Sequence, residues 1–185
     1  MAAQQQEQVQ GSFPLQQGAL FGAGAFIVGY LVTFLWLMID VSSEEMDATF
    51  EAAGWLFFNA QFVRIEFDGP ATLDFLGLNA SANVISLPAI VFTIAVGLIL
   101  FGAGYLLTTR LLEPGTTTDE GTVYGASIVV GYLPLSFLGA LLFEMSYLNT
   151  EGTPDIFMAV LIAGIVFPAI IGALGGYYAV RSRGN

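Results

Sequence analysis

The sequence predicts an all-α polytopic membrane protein with four transmembrane helices, and an extracellular amphipathic helix with a possible small hairpin between helices one and two. Three observations carry that prediction. Of the 185 residues, 56% are apolar and only 10% are charged, with a mean hydropathy of +0.76, too apolar for a soluble domain of average make-up. Four uncharged runs are each long enough to cross a hydrocarbon core, which takes about 20 residues of helix. The connection between the first two runs, residues 40–84, is far longer than an ordinary loop and implies structure of its own.

The spans fall at about 19–39, 85–109, 123–143 and 156–180, forming one membrane domain between tails 1–18 and 181–185. The segment before the first span is glutamine-rich and has no basic residue, so that span does not read as a cleavable signal peptide. Four spans put both tails and the connection between spans two and three on one side. Arg110, Arg181 and Arg183 lie there, whereas only Arg64 lies opposite. The positive-inside rule therefore places both termini in the cytoplasm of a cell-membrane protein.

In the long outer loop, Ser42–Ala60 reads as a helix. Ser42 and Glu45 have capping-box spacing, and Glu44, Glu45 and Asp47 place negative charge at the positive end of the helix dipole. Met46, Phe50, Ala53, Phe57 and Ala60 recur on one face. That face and Trp55 suggest a helix lying along the outer leaflet or capping the bundle. Val63, Ile65 and Phe67 then alternate with Arg64, Glu66 and Asp68, and a turn at Asp68-Gly69-Pro70 leads into Leu73–Phe75, the pattern of a hairpin. Arg64, the one cation on this face, suits an ion pair with a carboxylate such as Glu66 better than an anion site. Asn79-Ala80-Ser81 matches a glycosylation sequon.

Within the spans, small residues supply flat faces for close helix contact. Span one has Gly18, Gly22, Ala25 and Gly29; span two has Gly97, Gly102 and Gly104; span three has Gly121, Gly125 and Gly131; span four has Ala169, Gly172, Ala173 and Gly176. A homo-oligomer or contact with another membrane protein could use such a face as readily as a monomeric bundle could. Pro88, Pro134 and Pro168 should kink their spans. Thr33, Thr93, Ser127, Ser136, Tyr30 and Tyr132 are polar groups that could line a narrow polar path, although inter-helix hydrogen bonds explain them at lower cost. Val28-Gly29-Tyr30-Leu31 recurs as Val130-Gly131-Tyr132-Leu133, a weak internal repeat.

Composition excludes a good deal of chemistry. With no His and no Cys, imidazole bases, thiolates and the usual zinc, copper and haem ligands are missing, so no metal or cofactor is expected. Four arginines and no lysine against fifteen acids rule out a nucleic-acid partner and suit concentrated salt, where self-repulsion is screened, as in a halophilic archaeon. No ionisable residue lies deep in a span. Asp40 and Glu144, at the outer ends of spans one and three, are the only carboxylates a membrane enzyme could use there, so no catalytic residue is assigned.

The stretch Gly54–Val63, with Val28–Thr33 upstream and Gly131–Pro134 downstream, resembles a family of haloarchaeal four-span membrane proteins of unknown function. The resemblance covers nearly the whole chain. It implies a membrane location and four spans, and it brings no activity or catalytic residue with it. Asn59 stands out physically, because an amide among Phe57, Phe58 and Phe62 must find partners if buried. The positions to follow are therefore Asn59, Arg64, Glu144, Tyr30 and Tyr132. The expected role is a non-enzymatic structural or accessory membrane module whose direct partner is the lipid bilayer; the alternative is a small transporter or channel for a solute or ion.

Overall fold

The computed structural model describes residues 14–40, 49–68, 72–73, 88–113, 115–147 and 150–183. Its helices and strands are, in order, α1 (Leu15–Asp40), α2 (Thr49–Asn59), β1 (Ile65–Phe67), β2 (Thr72–Leu73), α3 (Ala89–Leu111), α4 (Thr118–Ala126), α5 (Val129–Leu142), β3 (Met145–Tyr147), β4 (Thr150–Pro154), α6 (Ile156–Met158), a π-helical segment (Ala159–Val166) and α7 (Phe167–Arg181). Four stretches are long and apolar enough to cross a membrane: Leu15–Asp40, Ile90–Leu111, Thr118–Leu142 and Ile156–Arg181. They match in number and order the four runs expected from sequence, although the third begins at Thr118 rather than about residue 123 and so takes in Asp119 and Glu120. Below, their two sides are called the terminus side and the loop side, the latter carrying α2 and the strands.

On the terminus side the helices touch backbone to backbone. A methyl added at Gly125 would strike the Gly172 carbonyl, and one at Gly172 would strike that of Gly125. Gly104 also abuts Gly172, Gly176 abuts Gly121, Gly131 abuts Ala19, and Gly22 abuts Ile128. Contacts this close need small residues, and they supply the dispersion energy that water exclusion cannot supply in lipid. Span two departs from expectation: Gly104 is in contact, whereas Gly97 and Gly102 face open space. Three arginines finish this side. Arg183 donates to the carbonyls of Leu112 and Thr109 at the end of α3, Arg181 donates to the Tyr177 hydroxyl, and Arg110 lies over the Phe21 ring. Cations at a helix C-terminus also answer its dipole. Thr117 and Glu120 form a reciprocal capping box that starts span three.

Spans three and four each lose regular α-helical form over part of their length, the third near its middle and the fourth in its loop-side half. Span three is interrupted at Ser127–Ile128, between α4 and α5, with Pro134 inside α5. Span four is a π-helix over Ala159–Val166, followed by Pro168 in the first turn of α7. The residues buried within the π segment are Ala159, Ala163 and Gly164, and the step of five from Ala159 to Gly164 is longer than the α-helical turn of about 3.6 residues. Pro88 corrects the expectation of a third kink: it is the N-cap of α3, outside the span, where its missing N–H costs no helix bond.

The loop side ends in a four-stranded antiparallel sheet of order β2-β1-β4-β3. The expected hairpin forms, with Ile65 opposite Leu73 and Glu66 opposite Thr72. Its partner strand β4 was not apparent in the sequence; it comes from the connection between spans three and four and pairs Ile65 with Pro154 and Phe67 with Gly152. The expected sequon at Asn79 and capping box at Ser42 lie outside the described residues.

Gly125→Ala and Gly172→Ala should each destabilise the protein by about 1–3 kcal/mol, the usual cost of overpacking, because the obstacle is rigid backbone. Gly97→Ala and Gly102→Ala should change stability by less than about 1 kcal/mol, in the stabilising direction that helix propensity favours. Thermal unfolding followed by circular dichroism in detergent separates the two pairs, and equal losses in all four would refute the packing account.

Candidate functional site

On the loop side the glycines make room for rings instead of backbone. Gly29 faces Phe57, Gly54 faces Phe143, Gly139 faces Phe26, Phe58 and Phe143, and Gly152 faces Trp55. The rings belong to α2 and to the helices around it. Every residue from Ala52 to Ala60 is buried, so of the two postures its sequence stripe suggested, along the outer leaflet or capping the bundle, α2 takes the second. It sits as a plug in the mouth of the bundle, against span one, the end of span three and β4. Phe26 meets Phe57 at 5.0 Å and Tyr132 at 5.2 Å, edge-on geometries that suit the quadrupoles of the rings. Trp55 pins the plug from above: its indole N–H donates to the Phe143 carbonyl at 2.8 Å, and its ring lies edge-on to Phe67 of β1.

Among apolar neighbours the end of a helix must satisfy its own polar groups. Here it does so in a Schellman turn. Val63 N–H donates to the Phe58 carbonyl and Phe62 N–H to that of Asn59. The turn requires a left-handed residue, usually glycine, and Phe62 occupies it at φ 66°. That costs on the order of 1–2 kcal/mol, offset by two side-chain amides. Asn59 Nδ2 donates to the Val63 carbonyl at 2.9 Å, and Gln61 Nε2 donates to the Phe57 carbonyl at 3.1 Å. Asn59 thus finds the partner that burial demands. Gln61 is buried too and was not singled out from sequence, although the reasoning applied to Asn59, an amide within an aromatic run, would have found it.

The repeated Gly-Tyr motif supplies the other half of the site. Tyr132, fully buried, donates its hydroxyl to Gln61 Oε1 at 2.8 Å. Tyr30 donates to the Phe50 carbonyl at 3.1 Å and stacks on Phe143 at 5.1 Å. Both tyrosines therefore hold the plug, one near each end, and the rings of Phe57 and Phe26 lie between them. Arg64 and Glu144 are not part of this cluster. Both are exposed; Arg64 shares the outward face of its strand with Glu66, and its carbonyl accepts from Asp155 N–H at 2.9 Å. The smaller hydroxyls also depart from expectation. Thr33 and Ser127 bond to carbonyls of their own helices rather than across to another, while Ser136 and Thr93 have no hydrogen-bond partner among the described residues.

The plug cluster is built of amides, phenols and rings, so it offers hydrogen bonds and shape. Among the described residues no group of three acidic side chains could hold a metal ion.

A family model described as "Family of unknown function (DUF7978)" matches residues 1–183, and the chain belongs to that family. No curated protein and no solved structure matches the chain.

Tyr132→Phe should cost about 1–3 kcal/mol by leaving the buried Gln61 carbonyl oxygen without its donor. In a Gln61→Leu background the same change should cost close to nothing. A double-mutant cycle on thermal stability measures the difference, and equal costs in the two backgrounds would show that this bond holds nothing.

Proposed function

We propose, taking membership of that family as the starting point, that the protein is a non-enzymatic structural or accessory module of a halophile's cell membrane. Its bundle is closed on the outer side by the plug and presents a small acidic sheet to the medium, with both termini in the cytoplasm. The observation that carries this reading is the run of nine buried residues Ala52–Ala60, interlocked with rings from spans one and three. A conduit joining Tyr30 to Tyr132 would have to pass where Phe26 and Phe57 pack against each other. Eleven acids and one arginine on the loop side, against four acids and three arginines on the terminus side, support the orientation through the arginines. The acids suit exposure to strong salt.

A second reading, a small transporter or channel for a solute or ion, draws on one specific feature. Span three is interrupted near its middle and span four is π-helical over most of its loop-side half, features shared with membrane proteins that open backbone to a substrate. Flux separates the two readings. Wild-type protein reconstituted in vesicles should leak ions and small solutes no faster than protein-free vesicles. Flux above that level, lowered by Tyr132→Phe, would overturn the structural reading and establish the other.

Orientation has its own test, made clean by the absence of native cysteine. Glu151→Cys, exposed on β4, should react with a membrane-impermeant maleimide in intact cells. Glu113→Cys, exposed between spans two and three, should react only after lysis. The reverse pattern would invert the topology.

A further inference from the structure

Two contacts of the plug's return arm bracket the π-helical part of span four. At the loop end, Asp155 N–H, immediately after β4, donates to the Arg64 carbonyl at 2.9 Å. Deeper in the bundle the Phe62 ring meets the Phe167 ring edge-on at 6.0 Å. Phe167 is the residue at which π winding gives way to α winding, and Pro168 follows it. Phe62 is the described non-glycine residue with positive φ, and the residue is 55% exposed. Glycine would make the turn without strain; the uncovered part of Phe62 suits lipid at this depth, and its covered part rests on Phe167. Strained backbone and π segments each mark places where a protein changes shape.

We infer that Phe62 is a latch: its ring, lodged on Phe167, holds Ala159–Val166 in the π register, and release of the ring lets this segment rewind toward the α form. A change of one residue in register turns the helix above it by about 100° and moves it about 1.5 Å along its axis. Asp155 and β4 lie directly above. Rewinding would therefore turn the loop end of span four against the outer sheet, coupling the sheet to the bundle. The inference stands apart from the structural or transport reading, since it concerns the register of one span.

Spin labels test it in full-length protein in lipid bilayers. Cysteines are introduced at Phe157, on the loop side of the π segment, and at Ile39, near the end of span one, both strongly exposed. With Phe62 and Phe167 intact, the pair should give a single narrow distance distribution. Phe62→Gly, which removes both ring and strain, and Phe167→Ala, which removes the ring contact and leaves the strain at Phe62, should each add a second population. Its displacement should be on the order of 8 Å, the chord that a 100° turn gives on a helix surface. A single unchanged distribution in both variants overturns the latch. If Phe167→Ala fails to fold, Phe167→Leu keeps apolar bulk without the ring and is judged by the same two outcomes.

Discussion

The architecture depends on close backbone contact between helices on the terminus side. Lipid gives no hydrophobic reward for bringing two apolar helices together, so the spans hold one another where carbonyls and glycine Cα atoms can touch. Gly104, Gly125 and Gly172 make one such contact, Gly121 and Gly176 another, and Gly131 with Ala19 a third. Helices drawn together at one end, with two of them irregular over part of their length, leave a mouth at the other. That mouth is filled by α2 and its rings. The two halves of the bundle thus use glycine in opposite ways, to admit backbone on one side and rings on the other.

A plug inside a bundle meets a constraint that a helix lying on the surface escapes, because water cannot complete its hydrogen bonds. The end of α2 is accordingly closed on itself by the Schellman turn, with Asn59 and Gln61 each bonding a carbonyl of the same segment. Tyr132 then bonds Gln61 and Tyr30 bonds the Phe50 carbonyl, so the polar groups that finish the helix also fix its position. An unpaired amide there would cost more than a paired one contributes. That asymmetry gives polar residues in this aromatic core their value in specifying a single arrangement.

Much of this was legible in the chain. Four apolar runs without charge leave the backbone no other way to satisfy itself in lipid, and the alternation of Val63, Ile65 and Phe67 with Arg64, Glu66 and Asp68 needs only a two-residue period to be read as a strand. Asn59 was legible because an amide among phenylalanines carries an obligation wherever it is buried. The depth of α2 was not. Its stripe of Phe50, Ala53 and Phe57 describes one apolar face, and whether the remaining residues meet water, lipid or protein depends on how far the spans diverge around it.

The sequence by itself determined four helices long and apolar enough to cross a membrane, the hairpin and the small residues available for contact, since these follow from local composition and period. Tertiary structure alone decided that Gly104 packs while Gly97 and Gly102 face open space, that β4 joins the hairpin from about 85 residues further along the chain, that Gln61 is the partner of Tyr132, and that Ala159–Val166 of span four winds as a π-helix. Each of those outcomes depends on what stands opposite a residue, and a period along one segment carries no information about its neighbour.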